Sequence, residues 1–262
     1  MKNLDDRTLE LPDGRFLGFV EYGTPAGKPL LYFHGHPGAR LEARFLADAA
    51  SRVNVRLIGI DWPNDIAALA HSLGLDRFAV VGFSGGGPYA LACAHAIPDR
   101  LVSCGVVSGV GRTGFVRSFL AAWLPWLMLP LARRRCFPNQ EQAEETLTRF
   151  SDRWPEPDRV ALEIPGVKEL MAASLVEGLT QGARGAAYDG ALLGRAWGFE
   201  PEQLDFPAVY LWHGELDSQV PITDLRALAQ RIRQAKPVFY PEDAHISTIV
   251  NHGGEIIESL LG

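Results

Sequence analysis

Short, continuous apolar runs recur along the chain and are separated by stretches whose apolar residues follow helical spacing. The apolar runs cover residues 29–33, 55–60, 78–82, 101–107, 208–212 and 237–240, and the helical stretches cover residues 41–51, 64–73, 86–96, 222–234 and 255–261. Continuous rather than alternating hydrophobicity is typical of strands that are buried on both faces. The pattern therefore predicts an α/β protein with a mostly parallel β-sheet flanked by helices.

Two departures from this alternation define the expected organisation. Residues 8–11 and 16–22 predict two antiparallel strands around a turn at Pro12-Asp13-Gly14-Arg15. Beyond about residue 109 the alternation stops, and helical segments broken by proline and glycine continue to about residue 207. We expect a core formed by residues 1–110 and 205–262, with a helical cap, residues 111–204, inserted in it.

The stretch that begins at Phe119 and ends at Arg135 is strongly apolar before its three final arginines. It is too short to span a bilayer and contains two prolines, so we do not expect it to cross a membrane. Contact with a lipid surface through Trp123, Trp126 and the arginines is one hypothesis. The other is a lid whose apolar face packs on the core and roofs a pocket.

Composition excludes some classes of function and leaves others open. The 262 residues include 25 Lys and Arg against 31 Asp and Glu, a net charge of −6, which argues against nucleic acid as a partner. The three cysteines lack paired metal-ligand spacing and are expected to be reduced thiols. No cofactor or metal is expected. The polar N-terminal residues lack the apolar segment of a secretion signal, which favours the cytoplasm, and the sequence does not indicate an oligomeric state.

The candidate chemistry begins where one apolar run passes directly into a helical stretch. The junction reads Gly82-Phe83-Ser84-Gly85-Gly86, which is a Gly-x-Ser-x-Gly pattern. A sharp strand-to-helix turn brings the two backbones close together, so glycines are needed beside a serine whose hydroxyl is exposed. Short patterns also occur by chance, and the alternative is a glycine-rich turn with an ordinary serine. The strand and helix around it favour Ser84 as a nucleophile.

A serine nucleophile needs a base and an acid that orients the base. His245 is the favoured base, because it follows the last predicted strand, although a surface-loop histidine is the alternative. Asp217 is the favoured acid, since it lies between a strand and a helix, where it could also simply cap that helix. Glu215 and Asp243 remain competitors for the acid. The order serine, aspartate, histidine is that of hydrolases with a nucleophile elbow.

Together with the loop His34-Gly35-His36-Pro37-Gly38, these motifs resemble the serine hydrolases of the α/β-hydrolase fold. The resemblance covers residues 1–110 and 205–262. It implies an oxyanion hole formed by the backbone N–H groups of Gly85 and His36. Phe83 of the turn, with Trp123 and Trp126 of the cap, is expected to line the substrate pocket.

One feature departs from this family. Its members commonly carry a long glycine-rich loop after the strand that corresponds to residues 55–60. Here Asp61-Trp62-Pro63-Asn64 leads from strand to helix almost at once. The connection is a true tight turn, a deletion, or the remainder of a loop that is missing from this sequence. A missing loop would affect the substrate pocket more than the catalytic residues.

The sequence therefore predicts a hydrolase that cleaves a small to medium carboxylic ester, or a related acyl compound, through Ser84, His245 and Asp217. A lactone, an amide or a carbon–carbon bond remains an alternative substrate for the same residues. A hydrolase acting at a lipid surface and a non-catalytic ligand-binding protein of the same fold are the other hypotheses.

Overall fold

A single β-sheet organises the molecule in the computed structural model, which describes residues 4–11, 13–61, 66–111, 128–180 and 182–262, with residues 4–6 described by their backbone alone. In the described residues the sheet has eight strands: β1 (Leu4–Glu10), β2 (Phe16–Gly23), β3 (Lys28–Phe33), β4 (Val55–Ile60), β5 (Phe78–Phe83), β6 (Leu101–Val107), β7 (Val209–Gly214) and β8 (Ala235–Tyr240). Their order across the sheet is β1-β2-β4-β3-β5-β6-β7-β8.

Strand directions confirm the predicted fold class. β1 pairs with β2, and β2 with β4, in antiparallel fashion, whereas every pairing from β4 through β3, β5, β6 and β7 to β8 is parallel. The carboxyl ends of the parallel strands therefore meet at one edge of the sheet. In parallel α/β sheets this is the edge where ligands bind.

Helices cover both faces of the sheet, which explains the continuous apolar strands. The helices are α1 (Ala47–Arg52), α2 (Ile66–Ser72), α3 (Gly87–Ala96), α4 (residues 128–135), α5 (Gln140–Ser151), α6 (Glu156–Glu163), α7 (Val167–Gly178), α8 (Ala183–Leu193), α9 (Ile222–Arg231) and α10 (His245–Leu261). Apolar residues of α2, α3 and α9 pack on one face, and those of α1 and α10 pack on the other. All six residues of β5 are buried as a result.

Helices α4 to α8 lie between β6 and β7 along the chain and form small apolar clusters of their own. We call residues 128–193 the cap helices. The proposed cap boundaries at residues 111 and 204 stay a prediction, because residues 112–127 lie outside the described part of the chain. In the described residues, no helix is both long and apolar enough to cross a membrane.

The helix boundaries differ most from the sequence expectation in two places. The expected helix 41–51 consists of a 3₁₀ segment, Arg40–Leu46, followed by α1. The last helix begins at His245 and not at residue 255. Two consecutive glycines, Gly253 and Gly254, weaken the helical pattern in its middle, but burial of Ile249, Ile256 and Ile257 against the sheet stabilises the whole helix.

The short connection after β4 lies only partly within the described residues. Asp61 follows the strand directly, α2 begins at Ile66, and residues 62–65 lie outside the description. The predicted tight turn, deletion or missing loop therefore falls outside the described residues.

Candidate active site

Ser84 occupies a strained turn between β5 and α3. Its φ angle is 51°, in the left-handed region that residues other than glycine rarely adopt. The turn is tight: a Cβ on Gly82 would lie 2.2 Å from the carbonyl oxygen of Gly86, and one on Gly86 would lie 2.2 Å from that of Phe33. The two glycines are thus required by the close approach of backbones, as expected for a serine presented at the N-terminal end of a helix.

His245 and Asp217 form a buried pair at the same edge of the sheet. The imidazole Nδ1 of His245 donates a hydrogen bond to Oδ2 of Asp217 at 2.7 Å. Because a carboxylate can only accept, this bond places the ring proton on Nδ1 and leaves Nε2 with a lone pair. The imidazole also packs against the ring of Phe83, with 5.1 Å between centroids, which places it beside the residue that precedes Ser84.

The other oxygen of Asp217 fixes the orientation of its carboxylate. Oδ1 accepts hydrogen bonds from the backbone N–H groups of Gln219 and Val220, both at 2.8 Å. Burial alone would raise the pKa of Asp217, but the hydrogen bond and charge of His245 and the Val220 amide together hold this pKa below its ordinary value. Asp217 is therefore ionised and oriented toward the imidazole.

The competing acids have other partners. Glu215 pairs with Arg226 at the surface. Asp243 accepts hydrogen bonds at 2.7 Å from Asn251 and from His252, both on α10. Of these three carboxylates, only Asp217 is hydrogen-bonded to His245 among the described contacts.

A second histidine lies behind Asp217. His213, fully buried at the end of β7, has its Nε2 atom 2.9 Å from the carbonyl oxygen of Val220 and 3.2 Å from Oδ2 of Asp217. Burial lowers the pKa of His213, so its ring is neutral and donates through Nε2. It therefore supports the carboxylate and does not act as a base.

The loop after β3 lies directly beside the Ser84 turn. A Cβ built on Gly35 would lie 3.4 Å from the Cβ of Ser84, and one built on Gly85 would lie 3.2 Å from the backbone nitrogen of His36. Gly85 and the backbone nitrogen of His36 are thus neighbours beside the serine. This arrangement suits two N–H donors that share one oxyanion.

Ion pairs of Arg40 hold the C-terminal end of the loop after β3. The backbone N–H of Arg40 donates to Oδ1 of Asp61 at 2.9 Å, and its guanidinium binds Oδ2 of Asp61 at 2.7 Å and Oε1 of Glu177 at 2.9 Å. Asp61 thus ties the β4 end to the loop after β3, and Glu177 adds a contact from α7.

A buried carboxyl group lies under the same loop. Oε2 of Glu42 accepts the backbone N–H of Gly35 at 2.6 Å, and the hydroxyl of Ser174, on α7, donates to Oε1 at 3.3 Å. The Ser174 hydroxyl also accepts the N–H of Ala39 at 2.8 Å. Burial raises the pKa of Glu42 to about 7, although these hydrogen bonds and the nearby His245 act in the opposite direction.

This raised pKa predicts a pH-dependent stability. The folded state holds the Glu42 proton more tightly than the unfolded chain, whose value is near 4.5, so the free energy of unfolding falls as the pH rises from about 4.5 to about 7. Between pH 5 and pH 8 we expect Glu42 to lower the stability by about 2 kcal/mol. Urea unfolding of the wild type and Glu42→Gln at both pH values measures this difference.

The matched control is Glu169→Gln, which removes an exposed carboxylate from α7. The stability of this variant should follow the wild type at both pH values. If Glu42→Gln and the wild type lose the same stability between pH 5 and pH 8, Glu42 is ionised in the folded protein throughout this range.

A cavity of about 350 Å³ adjoins the loop after β3. It is lined by Phe16, His34, His36, Pro37, Gly38, Ala39, Arg40, Asp61, Glu177, Gly178, Thr180, Gly182, Gly185, Ala186 and Asp189. Burial raises the pKa of Asp189 to about 6. Of the three predicted pocket residues, Phe83 packs on His245 and is not among these lining residues, whereas Trp123 and Trp126 lie outside the described part of the chain.

Sequence reasoning missed several residues that support the site. Ser108, which directly follows β6 and has a φ of 47°, donates its hydroxyl to the carbonyl oxygen of His245 at 2.9 Å. Asp158 of α6 binds backbone amides at the start of α10. These two residues share a property with Glu42 and Ser174 under the loop. None of the four belongs to a short motif, and each acts through a contact with a residue distant in sequence.

Comparison with solved structures identifies the architecture. A hydrolase from Pseudomonas aeruginosa shares 17% sequence identity over 99% of both chains, with a TM-score of 0.76. An esterase from Rhodococcus sp. shares 19% identity over 97% of this chain and 99% of the other, with a TM-score of 0.69. An α/β-hydrolase-fold protein from Nakamurella multipartita shares 21% identity over 97% of both chains, with a TM-score of 0.63.

By sequence, no family model and no curated protein matches the chain. Identities near 20% over nearly the whole chain establish the architecture and not the activity. The strand order, the strand directions and these three structures agree: the chain adopts the α/β-hydrolase fold.

Proposed function

We propose that this protein is a serine hydrolase that cleaves a small to medium carboxylic ester through an acyl-enzyme. The observation that carries the proposal is the 2.7 Å hydrogen bond between an ionised, buried Asp217 and His245, whose imidazole packs beside the strained Ser84 turn. A positioned acid, base and exposed hydroxyl are what acyl transfer requires. The likeness to an esterase from Rhodococcus sp. supports the same chemistry.

In the proposed reaction, Ser84 Oγ attacks the ester carbonyl carbon while Nε2 of His245 takes its proton. The Asp217 carboxylate stabilises the imidazolium that forms. Backbone N–H groups of Gly85 and His36 bind the oxyanion. Collapse of this intermediate expels the alcohol, which receives the proton from His245, and water then releases the acid from Ser84 by the same steps.

A fluorophosphonate probe tests this proposal, because it reacts covalently with an activated serine and requires no knowledge of the natural substrate. We expect the wild type to be labelled and to hydrolyse p-nitrophenyl acetate, and Ser84→Ala to do neither. Intact-mass measurement of the labelled protein quantifies the reaction.

Ser72→Ala is the matched control, since it removes an exposed hydroxyl from α2 and should leave labelling unchanged. Folding of each variant is checked by circular dichroism. Absence of labelling in the folded wild type would reject the enzyme and favour a ligand-binding protein. Equal labelling of Ser84→Ala would assign the reaction to another residue.

A further inference from the structure

The amino end of α10 is bound by a carboxyl group from the cap helices. Asp158, on α6, accepts the backbone N–H groups of Ile246 at 2.8 Å and Ser247 at 2.9 Å through Oδ1, and that of His245 at 3.2 Å through Oδ2. Asp158 is completely buried. Its partners are the first three residues of the helix, and the first of them is the proposed general base.

These contacts replace a missing local cap. The first N–H groups of a helix have no partner within the helix, and the side chain of the preceding residue usually supplies one. Here that residue is Ala244, which has no acceptor in its side chain. The acceptor is supplied instead by Asp158, from a helix 87 residues earlier in the chain.

His245 is therefore held at three separate points. Its imidazole is held by Asp217, its carbonyl oxygen by the hydroxyl of Ser108, and its N–H by Asp158. Asp217 and Ser108 follow core strands, whereas Asp158 belongs to the cap helices. Apolar packing of Ile246 with Ala161, Leu162 and Val167 joins α10 to the same part of the cap.

We propose that Asp158 is a positioning residue for His245, so that the placement of the base depends on contact between α6 and α10. This inference rests on the proposed hydrolase function. Without the carboxyl group, three amides at the start of α10 lose their acceptor, and the first turn of the helix, including His245, shifts or frays. A displacement of about 1 Å at a catalytic group is enough to lower a rate by roughly 100-fold.

The test compares Asp158→Ala with Asp158→Asn. Asparagine keeps one oxygen for Ile246 and Ser247 but presents its NH₂ group to the His245 amide, so its effect should be intermediate. For Asp158→Ala we expect kcat for p-nitrophenyl acetate to fall by roughly 100-fold with KM little changed, since the residue does not touch the substrate. For Asp158→Asn we expect a fall of about 10-fold. The rate of fluorophosphonate labelling should fall in the same order.

Glu163→Ala is the matched control, because it removes an exposed carboxylate from the same helix. This variant should keep the wild-type kcat and labelling rate. Rates are expressed per folded molecule, with the folded fraction from circular dichroism, and Asp158→Asn provides the comparison if Asp158→Ala does not fold. Wild-type kcat per folded molecule in the Asp158 variants would overturn the inference.

An NMR measurement separates this inference from the proposed function. The Nδ1 proton of His245, hydrogen-bonded to Asp217, should give a downfield signal in the wild type that shifts or broadens in Asp158→Asn and is unchanged in Glu163→Ala. If the wild type neither hydrolyses esters nor is labelled, the proposed function fails. The NMR signal still tests whether Asp158 positions His245. An unchanged signal in folded Asp158→Asn would overturn the role of Asp158.

Discussion

Replacing Asp217 with asparagine should lower kcat for p-nitrophenyl acetate by roughly 10⁴-fold while the protein stays folded. The amides of Gln219 and Val220 hold one oxygen of this side chain, and asparagine can keep both bonds with its carbonyl oxygen. Its NH₂ group then faces Nδ1 of His245 as a donor. The imidazole must carry its proton on Nε2 instead, where it cannot accept the proton of Ser84. Steady-state kinetics with circular dichroism measures the effect.

Asp243→Asn is the matched control, because Asp243 is also a buried aspartate near His245 and is a competing candidate for the acid by sequence. Its hydrogen bonds go to Asn251 and His252, so its replacement should change stability more than kcat. We expect kcat to stay within about tenfold of the wild type, since the tautomer of His245 is unaffected. A large loss in Asp243→Asn with little loss in Asp217→Asn would reverse the assignment.

The architecture could be predicted because the signals for it are local. Strands β4 and β6 have the bounds that their apolar runs predict, since a strand covered on both faces is apolar along most of its length. Ser84 was identifiable because the turn itself needs glycines at 82 and 86. The rule that parallel strands end at one edge predicts that Asp217 and His245 lie close together, and a 2.7 Å hydrogen bond joins their side chains.

The residues that support the candidate active site could not be predicted, because their contacts join positions far apart in sequence. No motif marks Glu42 in the sequence, yet the fold buries it under Gly35 and opposite Ser174, 132 residues later. The same holds for Asp158, which lies on a short helix of the cap with other acidic residues around it. No pattern distinguishes a carboxyl group that binds three distant amides from one that faces solvent, because the difference arises only from tertiary packing.

The start of α10 illustrates how tertiary contacts override local signals. The Gly253-Gly254 pair predicts a helix that begins after it, but the structure begins the helix at His245. Burial of its apolar face and the hydrogen bonds that its first amides donate to Asp158 offset the low helix propensity of the two glycines. His245 is consequently the first residue of a helix and not part of a loop, which places its backbone in a defined geometry.

Replacing Gly86 with alanine should destabilise the protein by roughly 3 kcal/mol and lower its activity, because the added methyl group has no space. Its Cβ would lie 2.2 Å from the carbonyl oxygen of Phe33 and 2.8 Å from that of His34. Both obstacles are backbone atoms and cannot rotate away. Either α3 or the start of the His36 loop must move, which separates the Ser84 turn from its proposed oxyanion donors. Urea unfolding and the rate of fluorophosphonate labelling measure the two effects.

Gly254→Ala is the matched control, since the same methyl group on exposed Gly254 in α10 would meet no atom within 4 Å. There the higher helix propensity of alanine should stabilise the protein by about 0.5–1 kcal/mol without changing the labelling rate. The two variants make the same chemical change. Opposite effects on stability would therefore show that the lack of space at the Ser84 turn, and not the added methyl group itself, destabilises Gly86→Ala. A wild-type unfolding midpoint and labelling rate in Gly86→Ala would mean that the turn tolerates a side chain and that its glycines are not required by close packing.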